Sequence, residues 1–228
     1  MSTILQLETA TPVCSVALSI NGKTVAHKEE TAQNIHAAKL TLFIKDVMEQ
    51  AQLTFNDLDA IAVSKGPGSY TGLRIGVSTA KGLCFALDKP LIAINTLEMM
   101  AAGFLQDQPG FKGLICPMID ARRMEVFTGV YASDLSEIEP TNAKIIDDTS
   151  FVALLAQYEM AFIGNGAEKC QTTIHHANAQ FLSGNFNSAS HMSALADVAF
   201  MAKKFEDVAY FEPFYLKDFV FTTPKKKG

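Results

Sequence analysis

The residues best placed to do chemistry lie between Ser64 and Gly76, which read SKGPGSYTGLRIG. Gly66-Pro67-Gly68 is a tight turn element, because glycine takes positive φ without strain and proline fixes its own φ. Ser69, Tyr70 and Thr71 follow, then Gly72 and an apolar helical stretch. A turn of this kind at a helix start offers free backbone N–H groups, which suit an anion. The GK[ST] ending of a P-loop is missing. Two readings stand on the residues alone. One is an anion or nucleotide loop formed by Gly66, Gly68, Ser69, Thr71 and Gly72; the other is a strand-to-helix turn without a ligand.

A second charged cluster comprises Asp120, Arg122, Arg123 and Glu125. It reads either as a partner or nucleotide contact at a lobe junction or as a structural ion-pair group, and ion pairs alone do not separate the two. The histidines His27, His36, His175, His176 and His191 never stand four apart. The i, i+4 pair that sets two metal ligands on one helix face is therefore missing. His175-His176 reads as a solvated loop and His36 as a polar residue at a helix start. Cys14, Cys84, Cys116 and Cys170 show no CxxC spacing and sit among apolar residues, which predicts buried, reduced thiols and a cytoplasmic setting.

Short strands are expected at Thr3–Leu7, Val13–Ile20 and Lys23–Glu29, the last two joined by the hairpin signal Asn21-Gly22. A helix is expected over Ile35–Ala51, with Leu40, Phe43, Ile44, Val47 and Ala51 on one stripe. Then come a strand at Ala60–Ser64, the Gly-rich loop, a helix over Leu73–Leu87, a strand at Leu91–Ile94 and a helix from Thr96 fading by Phe104. The polar stretch Gln106–Lys112 marks a lobe boundary, giving lobes 1–105 and 106–228. Strands are predicted at Leu114–Ile119, Glu125–Tyr131 and Ala161–Ile163, and helices at Thr149–Tyr158 and Ser193–Phe205. Gly164-Asn165-Gly166 reads as a strand-to-helix connection. No internal repeat of fixed period is visible. The pattern predicts an α/β fold: a mixed sheet with an N-terminal β-meander and covering helices.

At 228 residues the chain is long enough for one large domain or two lobes with a shared core. With 48% hydrophobic and 19% charged residues it is globular, not disordered. A net charge of -5 argues against broad nucleic-acid binding by this chain alone. The run Lys225–Lys227 reads as a solvated tail. No signal peptide, transmembrane segment or membrane association is expected.

Both long helices of the first half carry a second apolar face. On the second, Leu73, Val77, Ala80, Cys84 and Leu87 should pack on the sheet, while Ile75, Ser78, Thr79, Gly82 and Ala86 form an opposite face of small, uncharged residues. On the first, Ile35, Ala38 and Leu42 lie behind the core stripe. A solvated helix face is normally charged, so these residues predict a partner interface.

GPGSYTGLRIG with the following AKGL resembles the signature of the TsaB family, also called YeaZ, in the glycoprotease-like branch of the actin-like, RNase H-like ATPase superfold. ILQLETATPVCSVAL resembles the opening hairpin of that family. His36 stands where it places a helix-start histidine, Asp120-Ala121-Arg122-Arg123-x-Glu125-Val126-Phe127 resembles its DARRxEvY stretch, and Pro213-x-Tyr215-Leu216-Lys217 its closing P-x-YLR. The resemblance spans nearly the whole chain and implies a two-lobed actin-like fold with the second lobe reduced. The first hairpin of the superfold carries an Asp that helps hold a nucleotide-bound metal; here that position is Glu8, followed by Thr9.

The related catalytic subunit TsaD carries an N-H-x-x-x-H helix whose histidines hold a metal. The matching stretch here is Asn95-Thr96-Leu97-Glu98-Met99-Met100, with Thr96 and Met100 in place of the ligands. The resemblance thus implies a subunit without a metal or catalytic residues of its own. It would pair with TsaD and the ATPase TsaE to transfer threonylcarbamoyl to the adenosine beside the tRNA anticodon. It further implies tRNA contact only through the complex, a homodimer when TsaD is absent, no tightly bound cofactor, and ATP or ADP only at the TsaD interface. The rival readings are a metal-dependent transferase or peptidase of the TsaD type and a small-molecule kinase of the superfold.

Overall fold

Asn21 and Gly22 turn the chain back on itself with φ of 48° and 73°, the paired positive values of a type I′ hairpin. In the computed structural model, which describes residues 1–217, this turn joins β2 (Val13–Ile20) to β3 (Lys23–Thr31). With β1 (Thr3–Glu8) these form an antiparallel meander. The crossover helix α1 (His36–Gln50) then returns the chain to β4 (Ala60–Gly66), which pairs parallel to β1. Helix α2 (Tyr70–Leu87) crosses to β5 (Leu91–Asn95), parallel to β4. The sheet order is β3-β2-β1-β4-β5. The small residues of VCSVALSI are explained by burial on both faces of β2.

After α3 (Thr96–Asp107) the chain builds a second sheet with the same plan. Strands β6 (Leu114–Asp120), β7 (Glu125–Tyr131) and β8 (Glu137–Ile145) form an antiparallel meander. Strands β9 (Met160–Ile163) and β10 (Ala179–Leu182) add parallel to β6, giving β10-β9-β6-β7-β8. Read from β8, this is the order of the first sheet. The fold is therefore a topological duplication, although no sequence repeat announces it. The second lobe is reduced in its helices and not in its sheet: α4 (Val152–Leu155) and α5 (Ala167–Cys170) are single turns where α1 and α2 are long.

Several expected boundaries move. The helix expected over Thr149–Tyr158 shrinks to α4, because the Asp147 carboxylate takes up Thr149 and Ser150 in a local turn and Phe151 adopts a left-handed φ of 62°. The last helix, α6 (Ser193–Met201), stops before the expected Phe205, with Lys203 at φ 53°. Helix α2 starts earlier than expected, at Tyr70, because the Ser69 hydroxyl caps Gly72 N–H. Strands β8 and β10 lie outside the expected elements: Pro140 sits inside β8, as edge strands permit.

Three apolar layers hold the lobes. Leu5, Leu7, Val16 and Val63 of the first sheet pack under Leu40, Phe43, Val47 of α1 and Val77, Ala80, Cys84 of α2. The second sheet buries Cys116, Met118, Val126 and Phe162 against Leu155 and Cys170. Between the sheets, Ile4, Ala62 and Ile92 meet Ile115, Ile119 and Phe127 around Leu97, Met100 and Phe104 of α3. Met192 and Ala196, from a 3-10 turn (Ala189–Met192) and α6, join this middle layer against the first sheet. The first sheet ends at β5 and the second begins at β6, with α3 running through the expected 105/106 boundary, and the segment after β10 returns to the first sheet. All four cysteines are buried free thiols. Burial pushes Cys14 up to about 11 and Cys84 and Cys116 to about 12.

Candidate functional site

The Gly-rich loop runs from the end of β4, at the carboxyl edge of the parallel strands, into the start of α2. Gly66 has φ 112°, and the Gly66–Pro67 peptide is cis. The turn after β1 lies directly on this loop. Ser69 N–H donates to the Ala10 carbonyl at 2.6 Å, and the Thr9 hydroxyl donates to the Gly72 carbonyl at 2.8 Å. A Cβ at Gly68 would collide with the Ala10 carbonyl, one at Gly72 with the Thr9 carbonyl, and one at Gly76 with the Thr9 hydroxyl. On the other side Phe214 N–H donates to the Lys65 carbonyl at 2.7 Å, and a Cβ at Gly66 would stand 2.7 Å from the Phe214 carbonyl oxygen. The glycines thus admit the chain's own backbone.

Of Gly66, Gly68, Ser69, Thr71 and Gly72, read as either an anion loop or a ligand-free turn, two have amides that the protein itself takes up. The Ser69 and Gly72 amides are taken by protein acceptors; Ser69 and Thr71 face solvent, Gly68 is half-exposed, and Gly66 and Gly72 are buried. Glu8 and Thr9 are fully buried beneath the turn. Burial pushes the Glu8 carboxyl up to about 7, against the Ala10 N–H, which donates to its Oε1 at 2.5 Å, and the nearby Ser64 hydroxyl. Its Oε2 and the Ser64 hydroxyl lie buried outside hydrogen-bonding geometry. A carboxyl sealed beneath the turn with no exposed surface does not reach a nucleotide-bound metal at the loop's outer face.

Thr96 and Met100 are likewise sealed. Both have no exposed surface, the Thr96 hydroxyl has no partner, and Met100 packs in the layer between the sheets beside Gly164. His36 is buried, with Nε2 3.2 Å from the Val13 carbonyl, so it ties α1 to β2 and is more than a polar helix start. His175 and His176 are exposed.

The second apolar face of the two long helices divides on inspection. Ile35 and Ile75 are half-buried against the outer core layer. Ala38, Leu42, Ser78, Gly82 and Ala86 are exposed, and Thr79 is half-exposed with its hydroxyl bonded back to the Ile75 carbonyl. A Cβ at Gly82 would meet nothing within 4 Å. Sequence reasoning missed Phe85, seven residues after Ser78 on this stripe, with 87% of its surface exposed; its periodicity was the available signal. Leu42 on α1 is 55% exposed. Lys81 is removed from the face, because its ammonium donates to the Ala209 and Phe211 carbonyls.

The segment after α6 also joins the lobes. Tyr215 lies 4.8 Å from Tyr70, whose ring sits 5.1 Å from the Arg74 guanidinium. Lys217 pairs with Glu125 on the second lobe. Below this strap, Lys65, Asn95, Glu137, Pro140, Thr141 and Phe214 line an inter-lobe cavity of about 320 Å³. Glu98 lies half-buried near Lys65 and Glu137, and burial raises its carboxyl. At the start of β7 the charged cluster is held together, but not by its arginine side chains: Asp120 pairs with Lys169 and accepts from the Arg122 N–H.

Comparison with known proteins places this geometry. Residues 23–225 match the family model described as TsaD, tRNA N6-adenosine threonylcarbamoyltransferase. The chain is 30% identical over 224 residues to the tRNA threonylcarbamoyladenosine biosynthesis protein TsaB of Bacillus subtilis, covering 94% of each chain. It superposes on YeaZ from Pseudomonas aeruginosa with a TM-score of 0.84 at 27% identity, over 95% of this chain and all of that one. A likeness of fold alone links it to (R)-2-hydroxyglutaryl-CoA dehydratase component A of Acidaminococcus fermentans, with a TM-score of 0.53 at 8% identity over 90% of this chain and all of that one.

Proposed function

Because the chain belongs to the TsaB/YeaZ family of tRNA threonylcarbamoyladenosine biosynthesis proteins, we propose that it is the non-catalytic subunit of the transferring complex, docked on the catalytic subunit TsaD through α1 and α2. The observation that carries this reading is the outer face of α2, where Ser78, Gly82 and Ala86 are small, uncharged and exposed and Phe85 stands free, together with the exposed Leu42 on α1. A glycine facing empty space on a long helix costs helix stability and leaves room for a second helix to approach within about 8–10 Å. Burying this face in a four-helix arrangement would remove apolar area from water on both partners.

The remaining roles follow from the same premise. TsaE joins as the ATPase, and tRNA is engaged through the complex. The same helices serve a homodimer when TsaD is absent. This chain alone holds no nucleotide tightly, and ATP or ADP enters only at the TsaD interface. The buried Thr96 and Met100 support an accessory role, because neither offers a ligand for a hard catalytic metal. The family model is that of a transferase, so the competing reading is catalysis by this chain itself.

The deciding experiment uses Gly82→Arg. No described residue lies within 4 Å of a Cβ at that position, so the variant folds, but in the assembled complex the cation would be buried without a partner. Pull-down with purified TsaD should fall at least about 100-fold in affinity. A folded variant with unchanged affinity places the interface elsewhere. Turnover by the isolated wild-type chain with ATP, threonine, bicarbonate and tRNA would overturn the accessory role.

A further inference from the structure

Arg122 and Arg123 occupy the turn between β6 and β7 with φ of 69° and 48°. A comparable run of positive φ, in the β2–β3 turn of the first meander, is made by Asn21 and Gly22, residue types that enter the left-handed region readily. Two consecutive arginines there are disfavoured by the backbone, so the turn itself does not account for them. Nor does internal charge pairing. The nearby carboxylates are already occupied, Asp120 by Lys169 and Glu125 by Lys217. The Lys169 ammonium also donates to the Arg123 and Glu125 carbonyls, each at 2.7 Å, which clamps the turn from beneath.

Among the described residues neither guanidinium makes a hydrogen bond or ion pair; Arg122 only helps, behind Lys169, to hold Asp120 below its ordinary value. Both arginines are exposed. The arrangement satisfies the acids with lysines and leaves two adjacent guanidinium groups directed at solvent, in a chain whose net charge is -5.

We propose that this hairpin tip is a contact for RNA backbone phosphates, made by Arg122 and Arg123 when the assembled complex holds tRNA. The inference rests on the role in tRNA modification proposed above. Guanidinium forks pair bidentately with phosphate oxygens. The tip is open and does not line the inter-lobe cavity, so it suits an extended polyanion better than a small enclosed ligand. Two phosphate contacts are too few to hold RNA on an acidic chain alone, and their effect belongs in the assembled complex.

The test measures tRNA modification by the reconstituted complex of this chain with TsaD and TsaE, titrating tRNA at several salt concentrations. For Arg122→Ala/Arg123→Ala, KM for tRNA should rise about tenfold with kcat unchanged, and the log–log salt slope should fall by about one to two. Arg122→Lys/Arg123→Lys should recover part of the loss. Arg122→Asn/Arg123→Gly, which relieves the backbone, should raise thermal stability yet match the alanine variant in KM. Unchanged KM and slope in an active complex overturn the inference alone. Loss of TsaD assembly in the variants, measured by gel filtration, also overturns it by making the tip a protein contact. An inactive wild-type complex overturns the functional reading and this inference with it.

Discussion

The Thr9 hydroxyl donates to the Gly72 carbonyl at 2.8 Å, pinning the turn after β1 to the first turn of α2. The contact exists because Gly72 has no side chain: a Cβ there would fall inside the Thr9 carbonyl oxygen. Backbone cannot rotate away as a side chain can. Gly72→Ala should therefore destabilise the chain by about 3 kcal/mol, seen as a lower urea midpoint. Gly82→Ala is the internal comparison. Its Cβ meets nothing, so the exposed helix should gain about 0.5–1 kcal/mol. Equal midpoints for the two variants would contradict the packing described.

The three glycines of the Gly-rich loop show what the sequence could disclose. Gly66, Gly68 and Gly72 announce a close backbone approach, but spacing does not say what approaches. The visitors are Phe214, Ala10 and Thr9, two of which follow a strand far upstream and one of which lies near the end of the described chain. The first lobe was legible because its periodic helices are long and its hairpin carries Asn-Gly. In the second lobe β6, β7 and β9 were legible as strands, but single-turn helices such as Val152–Leu155 have too few residues to display a period. The exposed helix face was legible in composition, whereas the half-burial of Ile35 and Ile75 depends on tertiary neighbours. Lys169 and Lys217, which neutralise the Asp120 and Glu125 carboxylates, lie 49 and 92 residues away in sequence. The role of Lys225–Lys227 falls outside the described residues.

Glu8 makes stability depend on pH. Its folded-state carboxyl is raised to about 7 from an ordinary 4.5, because burial disfavours the charge. The folded chain thus binds more protons than the unfolded chain between those values. The stabilisation is fully present below about 4.5, declines as pH rises through about 7, and is lost above it. The gap corresponds to about 3 kcal/mol. Glu8→Gln keeps the shape and removes the titration, so its urea midpoint should be nearly flat between pH 5 and 8 where that of the wild type falls. A parallel decline in both proteins would exclude Glu8 as the source.

The strap at Tyr215 links the lobes by ring contact and by the Lys217–Glu125 pair. The exposed ion pair adds little, on the order of 0–1 kcal/mol. The Tyr70–Tyr215 contact should contribute about 0.5–1.5 kcal/mol beyond its buried area. Tyr215→Ala should therefore lower hydrogen-exchange protection at Phe214 N–H, which bonds the Lys65 carbonyl, while leaving the β1–β2 amides unchanged. A uniform loss across both sheets would show that the strap supports the whole fold and not the lobe junction.

Phe85 and Leu42 give the last prediction, because removing them separates self-association from stability. With 87% and 55% of their surfaces exposed, they contribute little to the fold of the isolated chain. Phe85→Ser and Leu42→Glu should each change unfolding free energy by less than about 0.5 kcal/mol. If α1 and α2 meet their copies in a homodimer, however, these side chains become buried, and truncating a central aromatic anchor typically costs about 2 kcal/mol or more in binding. Leu42→Glu adds a charge to the same buried face. The double variant should sediment as a monomer at concentrations where the wild type is dimeric, with an unaltered melting curve in the dilute limit. On the proposal that both assemblies use one surface, the same double variant should lose TsaD binding in parallel. A variant that stays dimeric but loses TsaD would show that the two assemblies use different faces.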